Sequence, residues 1–267
     1  MPDRMREQRA KARRSPRRTD TDRLDPGVAS ILRLQRSIGN AGVGRLLSRQ
    51  PAPPPPAQRF GLDWSVARPP SDKALAAAGV TFACRYLSNT PAKNLKRLEA
   101  NHLSSLGIDL VVVWETTANR ALAGHDAGVA DATEALRQAN HLGMPDDRPI
   151  YFAIDFDATA HQLSHEITEY FQGVNEVLGV GRTGVYGGYR QVGAMFDAGL
   201  VNFGWQTYAW SAGQWDGRAQ IQQYRNDQFV GGVSVDFDRA TANDFGQWSV
   251  QVGDFPEPDP NATTAAA

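Results

Sequence analysis

The chain has 267 residues, 41% hydrophobic and 21% charged, the balance of a soluble globular protein with length for one large domain or a medium domain with arms. No run approaches the roughly 18 apolar residues of a membrane-spanning helix, and one cysteine, Cys84, excludes an internal disulfide framework or a cysteine-rich zinc site. The net charge of −1 hides an asymmetry: residues 1–59 carry 14 Lys/Arg against 5 Asp/Glu and the remainder 14 against 24, as in a basic interaction arm joined to an acidic domain.

Residues 1–27 are basic and poor in aromatics, a composition that cannot bury enough apolar surface to fold alone. Arg13-Arg14 and Arg17-Arg18 are twin arginines, but no apolar segment follows. The expectation is therefore a chain made in the cytoplasm without a secretion signal. Val28, Ile31, Leu34, Ile38, Val43, Leu46 and Leu47 recur near helical spacing, with Arg33, Arg36, Arg45 and Arg49 among them. This predicts a short amphipathic helix over about 28–48, broken near Gly39-Asn40. Pro51 and Pro53 to Pro56 form a stiff spacer. The arm, residues 1–59, reads as a mostly disordered tail carrying a docking or loading segment at 28–50. No aromatic interleaves its arginines, so nucleic acid is not an expected partner.

From Phe60 short apolar runs alternate with helical patterns. Strands are expected near 60–65, 80–87, 108–115, 149–157, 182–187, 202–210, 219–224 and 233–238. Helices are expected at 71–79, 93–106, 126–142, 160–178 and 188–198, with Thr159 and Gln162 as a capping box. Such alternation predicts an α/β fold with a parallel sheet and helical crossovers. Eight strands point to a closed TIM-like barrel over 60–253, with short last crossovers; an open doubly wound sheet is the alternative. Residues 254–267 read as a disordered tail.

Alternation within single strands locates the chemistry. In Ile150–Asp157, Tyr151, Ala153, Asp155 and Asp157 share the face opposite Ile150, Phe152, Ile154 and Phe156. Asp63 in Phe60–Ser65, and Asp236 and Asp238 in Val233–Asp238, repeat the pattern; Leu110–Glu115 ends in Glu115. In a parallel barrel, acids at strand ends converge on the catalytic mouth. Carboxyls brought together push one another's pKa upward, making an acid and a base from one residue type. Glycosidic cleavage needs that pair, and the Asp155/Asp157 spacing suits either stereochemical outcome. The rival readings are helix caps, arginine pairs, or a Mg²⁺ or Ca²⁺ site. Aromatics cluster in the last third; Tyr186 and Trp210, at strand ends, are the better candidates for stacking on sugar, with Tyr224 behind them.

Other signals carry less. Gly179-Val180-Gly181-Arg182-Thr183-Gly184 matches G-x-G-x-x-G but follows a helix and precedes a strand, so it reads as a helix cap and turn. His161 and His165 have no third metal ligand at a recognisable spacing. No G-x-S-x-G elbow or P-loop occurs. Cys84 reads as inert core. Asn261-Ala262-Thr263 is a sequon in a loose tail. Neither metal nor cofactor is expected.

Two resemblances add to this. Leu34 to Leu47, reading Leu-Gln-Arg, then Asn-Ala, then Val and Arg-Leu-Leu, resembles an N-terminal segment of cargo proteins linked to bacterial contractile injection systems, which implies loading into a phage-tail-like particle. Phe60 to about Trp248 resembles the glycoside-hydrolase-like domain of unknown function family 1906, and more distantly the lysozymes of glycoside hydrolase family 25. The motifs are Gly61-Leu62-Asp63-Trp64-Ser65, Tyr151 to Asp157, Gly184-Val185-Tyr186, Ile221-Gln222-Gln223-Tyr224 and Val235-Asp236. The resemblance implies an irregular β/α barrel that cleaves bacterial cell-wall peptidoglycan. It implies that Asp63, Asp155 and Asp236 match three active-site aspartates, and that Asp157 replaces the acid glutamate. Aspartate is one methylene shorter, so its proton sits about 1–1.5 Å further back, and Glu115 is the alternative acid. Glu115, Tyr186, Trp210 and Tyr224 would bind substrate. The other function compatible with these residues is a module that holds cell-wall glycan without cutting it.

Overall fold

The structure is a computed structural model that describes residues 58–251; the expected arm helix, proline spacer and tail from 254 lie outside the described residues. Eight strands form a closed barrel: β1 (Arg59–Asp63), β2 (Val80–Leu87), β3 (Asp109–Trp114), β4 (Ile150–Ala153), β5 (Thr183–Gly187), β6 (Phe203–Thr207), β7 (Ile221–Val230) and β8 (Val233–Ala240). Each pairs with the next, and β8 closes onto β1. Around them lie α1 (Asp72–Ala77), α2 (Arg97–Ser105), α3 (Gly124–His141), α4 (Ala160–Ser164), α5 (Glu166–Leu178) and α6 (Tyr189–Asp197). The barrel, not the open sheet, is the fold.

Period-two alternation builds two cores. Outward side chains such as Leu62, Val112 and Phe152 pack under the helices. Inward ones, among them Phe82, Cys84, Val111, Tyr151 and Trp205, fill the barrel. Glycine makes room for the large rings: a Cβ on Gly61 would lie 2.3 Å from the Phe82 ring, and one on Gly184 2.7 Å from that of Tyr151. The floor is closed by Phe245, whose carbonyl accepts from Tyr151 Oη at 2.8 Å. Trp248 bonds both ways to Leu110, where β3 has not yet met β4. No helix among the described residues is long and apolar enough to cross a membrane.

Three details depart from the sequence reading. The helix expected over 160–178 breaks at His165 into α4 and α5. Ser164 Oγ and Thr168 Oγ1 bond the carbonyls of His161 and Leu163, giving the chain another way to satisfy them. The capping box at Thr159 and Gln162 is present. Second, β4 stops at Ala153 instead of running to 157. Third, β8 is antiparallel to both neighbours. β7 extends to Val230 and turns through Gly231-Gly232, both at positive φ (59° and 82°), the two-residue hairpin that glycine pairs favour.

Candidate active site

The mouth of the barrel is the end where β1 to β7 finish. Asp63 closes β1 and is buried. Opposite it in the β1–β8 ladder stands Asp236. Because β8 runs backwards, Asp236 reaches the mouth from the beginning of its strand, and Asp238, paired with Gly61, lies one layer deeper. Gln223 of β7 ties the two upper acids together: its Nε2 donates to Asp63 Oδ2 at 2.8 Å and to Asp236 Oδ2 at 3.2 Å. Its Oε1 accepts from Tyr186 Oη at 3.0 Å, which fixes the amide's orientation. Tyr86 Oη donates to Asp63 Oδ1 at 3.2 Å, and the Asp227 backbone N–H to Asp236 Oδ1 at 2.8 Å. Asp227 holds a positive φ of 55°, in the irregular part of the β7–β8 pairing. A cleft of about 140 Å³ opens here between Asp63 and Tyr86 on one side and Asp227 and Asp236 on the other.

Asp155 and Glu115 follow β4 and β3 outside the lining of that cleft but within electrostatic reach of its acids, since Asp236 raises Asp155 and Glu115 raises the Tyr86 hydroxyl. Asp155 sits two residues beyond β4, held by its backbone N–H on the Ala118 carbonyl. Glu115 follows β3 and is paired with Lys93 Nζ at 2.7 Å; the same ammonium lies 5.0 Å from the centre of the Tyr86 ring.

Burial and mutual repulsion hold protons here. Asp63 is raised from 3.8 to about 7, by burial first and then by Asp236, while the bonds from Gln223 and Tyr86 oppose the shift. Asp155 is raised to about 6, by burial and then Glu115, with Lys93 acting the other way. Asp236 is raised chiefly by burial, with its backbone bond from Asp227 opposing.

The remaining candidates are placed differently. Asp157 does not share a face with Asp155. Beyond Ala153 the chain leaves the strand, Ile154 N–H bonding the Tyr186 carbonyl and Ala158 N–H that of Phe156. Asp157 turns out to the rim, where Arg190 of α6 pairs with it and both are exposed. Tyr186 is no stacking platform: its ring is buried 4.7 Å from Trp205, and its hydroxyl serves Gln223. Tyr224 points out of the barrel, packing on Phe237 and beneath Arg239; it stands one residue past inward Gln223, so alternation turns it away from the mouth. Trp210 is exposed at the rim, at a positive φ of 54°, beside the start of α6, where Ser211 Oγ accepts from the Tyr189 N–H. The sequence gives Gln223 no role beyond its place in the Ile221–Tyr224 motif, and Tyr86 and Lys93 are not among its candidates. The alternation would have found the first two, since Gln223 follows inward Ile221 by two and Tyr86 follows inward Cys84 by two. Lys93 lies in a loop and left no such signal.

His161 and His165 stack at 4.0 Å on an exposed helix end. Gly179 caps α5 at positive φ, as its motif's context indicated. Cys84 is buried in the barrel, its thiol pushed up by burial. Among the described residues no three His, Cys, Asp or Glu side chains are grouped to hold a metal ion.

Comparison with known proteins agrees with this architecture. A family described as Rv2525c-like, glycoside hydrolase-like domain, matches residues 73–242. A Mycobacterium tuberculosis protein named "Putative peptidoglycan hydrolase Rv2525c" is 30% identical over 227 residues, 79% of this chain and 93% of that one. The crystal structure of the Tat-secreted protein Rv2525c in complex with L-tartrate superimposes with a TM-score of 0.67 at 29% identity, over 72% of this chain and 99% of that one. The Clostridium perfringens spore cortex lytic enzyme SleM has the same fold, with a TM-score of 0.50 at 16% identity over 71% of this chain and 69% of its own. The chain belongs to the Rv2525c-like, glycoside hydrolase-like domain family.

Proposed function

We propose that the barrel is a glycoside hydrolase acting on bacterial cell-wall peptidoglycan. The observation that carries this is the ring of acids at one rim, with Asp155 holding a proton up to about 6 beside Asp236, which burial also disturbs. Cleavage of a glycosidic bond needs one carboxyl that gives a proton to the leaving oxygen and another that meets the positive charge forming at the anomeric carbon. Asp155 takes the first role and Asp236 the second, with Asp63, tied to Asp236 through Gln223, accepting a sugar hydroxyl. Asp157 and Glu115 are the weaker choices for the acid, because each already faces a cation. Trp210 offers an exposed ring at the rim. The relative named "Putative peptidoglycan hydrolase Rv2525c" supports the substrate class. The test is release of reducing ends from purified sacculi: the wild-type chain releases them and Asp155→Asn does not. Equal release by both would sink the reading.

A second reading is glycan binding without cleavage. The pairing of Asp157 with Arg190, at the position where the resemblance implied the acid, favours it. Sacculus pull-down without reducing ends would select it.

Residues 28–50 are proposed separately as a loading segment for a contractile injection particle, through which a chain made in the cytoplasm would leave the cell. Their resemblance to cargo proteins supports this. Removing residues 1–57, which spares Arg59 and its bonds to the Thr81 carbonyl and Asp109, should abolish particle association and leave sacculus digestion unchanged. Unchanged association would rule it out.

A further inference from the structure

One acid of the barrel is unused by this chemistry. Asp238 is fully buried and sits beneath the mouth, across the ladder from Gly61. Its Oδ1 accepts from Trp205 Nε1 at 2.8 Å. Its Oδ2 has no N–H or hydroxyl partner, and with Gly61 opposite it Asp238 is the diagonal neighbour of Asp63 on the inward face of the β1–β8 ladder, where the two carboxyls act on each other, lowering Asp63 and raising Asp238. Two carboxylates cannot bond each other; a proton must stand between them. The donors decide where it resides. Asp63 already accepts from Gln223 Nε2 and Tyr86 Oη, and both bonds favour its charged form. Asp238 has the Trp205 N–H alone and an otherwise orphaned oxygen in a fully buried site, where an unpartnered charge is most unfavourable.

We infer that Asp238 is a carboxylic acid kept neutral inside the barrel, whose Oδ2–H donates to Asp63 and holds that carboxylate in place, aimed at the mouth. It is a positioning residue. The inference rests on Asp63 belonging to the site and not on any bond being cleaved. The charged and titratable groups around Asp238 agree with it: burial, Asp63 and Asp236 all raise its carboxyl well above the usual range, and only the Trp205 N–H opposes them. Cys84, close enough for Asp238 to raise its thiol, is itself held protonated by burial.

The test is infrared difference spectroscopy on the full chain at pH 8, wild type minus Asp238→Asn. A carboxylic C=O stretch that shifts in D₂O should be present in the wild type and missing from the variant. Asparagine keeps both bonds, its Nδ2–H replacing the acid proton and its Oδ1 still accepting from Trp205. The Asp63 titration, followed by ¹³C carboxyl resonances, should therefore move by less than about half a pH unit in Asp238→Asn and upward by about one unit or more in Asp238→Leu. No protonated-acid band, or an Asp63 titration displaced as far by asparagine as by leucine, would overturn the proposal. If the leucine variant does not fold, the band and the asparagine titration decide alone.

Discussion

Asp155 keeps its proton up to about pH 6 because it is half-buried and Glu115 stands near, and it would hold that proton more firmly still without Lys93. This gives a test whose direction separates tuning from damage. If Asp155 is the acid, kcat/KM on sacculi falls about tenfold per pH unit above about 6, as the proton is lost. Replacing Lys93 by Met removes a cation that lowers the Asp155 carboxyl, so the alkaline limb should move up by about half a unit to one unit. A variant that merely distorted the mouth would lower the whole profile without moving that limb. The same logic ranks the two aspartates after β4. Loss of a general acid lowers rates by about 10²–10⁴, so Asp155→Asn should fall by at least about a hundredfold. Asp157→Asn, which loses an exposed ion pair at the rim, should fall about tenfold or less. Reducing-end assays on sacculi compare the two directly, and the reverse order would return the acid to Asp157.

At the scale of elements, the packing of α3 on α5 depends on two missing side chains. A Cβ on Gly128 would lie 2.0 Å from the Tyr170 carbonyl oxygen, and one on Gly173 2.2 Å from that of His125. Backbone cannot give way as a side-chain tip can, so Gly128→Ala should destabilise the barrel by about 2–3 kcal/mol, the upper part of the overpacking range. Thermal unfolding followed by circular dichroism reads the effect; an unchanged Tm would mean that the helices separate freely. The strands themselves were legible in the sequence, because alternation is a local property: Tyr151 and Ala153 lie inside, with Leu62 and Phe152 outside, as their spacing indicated. Legibility failed where the backbone stops repeating. Asp155 and Asp157 would share a face only if β4 ran four residues further, and nothing in Ile154–Asp157 announces that the carbonyls of Tyr186 and Ala118 will claim the N–H groups of Ile154 and Asp155. The reversed direction of β8 contradicts the expected crossover, although its signal is local: Gly231-Gly232 between apolar runs marks a hairpin. The outward turn of Tyr224 was legible too: one residue past inward Gln223, alternation takes it out of the barrel.

For the whole molecule the acids at the mouth are a burden on folding, and the sign can be worked out. Asp63 and Asp155 bind protons more tightly in the folded chain, where they titrate near 7 and 6, than in the unfolded chain, where both titrate near 3.8. Between those limits the native state carries more protons than the unfolded one, so their contribution to stability is complete below about 4 and is lost as pH rises through 6 and 7. For buried Asp63 the loss amounts to about 4 kcal/mol; for the half-buried Asp155 solvent screening reduces it to about 1–2 kcal/mol. Glu134 acts in the opposite sense: the Arg137 guanidinium beside it lowers its carboxyl from 4.5 to about 2, so its contribution is present above about 4.5 and lost as pH falls further. The two limbs place the maximum of Tm near pH 4–5, below neutrality. Asp63→Asn should flatten the descending limb between pH 4 and 7, and Asp155→Asn should raise Tm at pH 8 by a few degrees, with the gain vanishing toward pH 4. Scanning calorimetry from pH 3 to 8 on the wild type and both variants measures this. A Tm that rises steadily to pH 8 in the wild type, or a gain from Asp155→Asn that persists at pH 4, would mean that these carboxyls are not held protonated by the fold, and the chemistry proposed for the mouth would lose its acid.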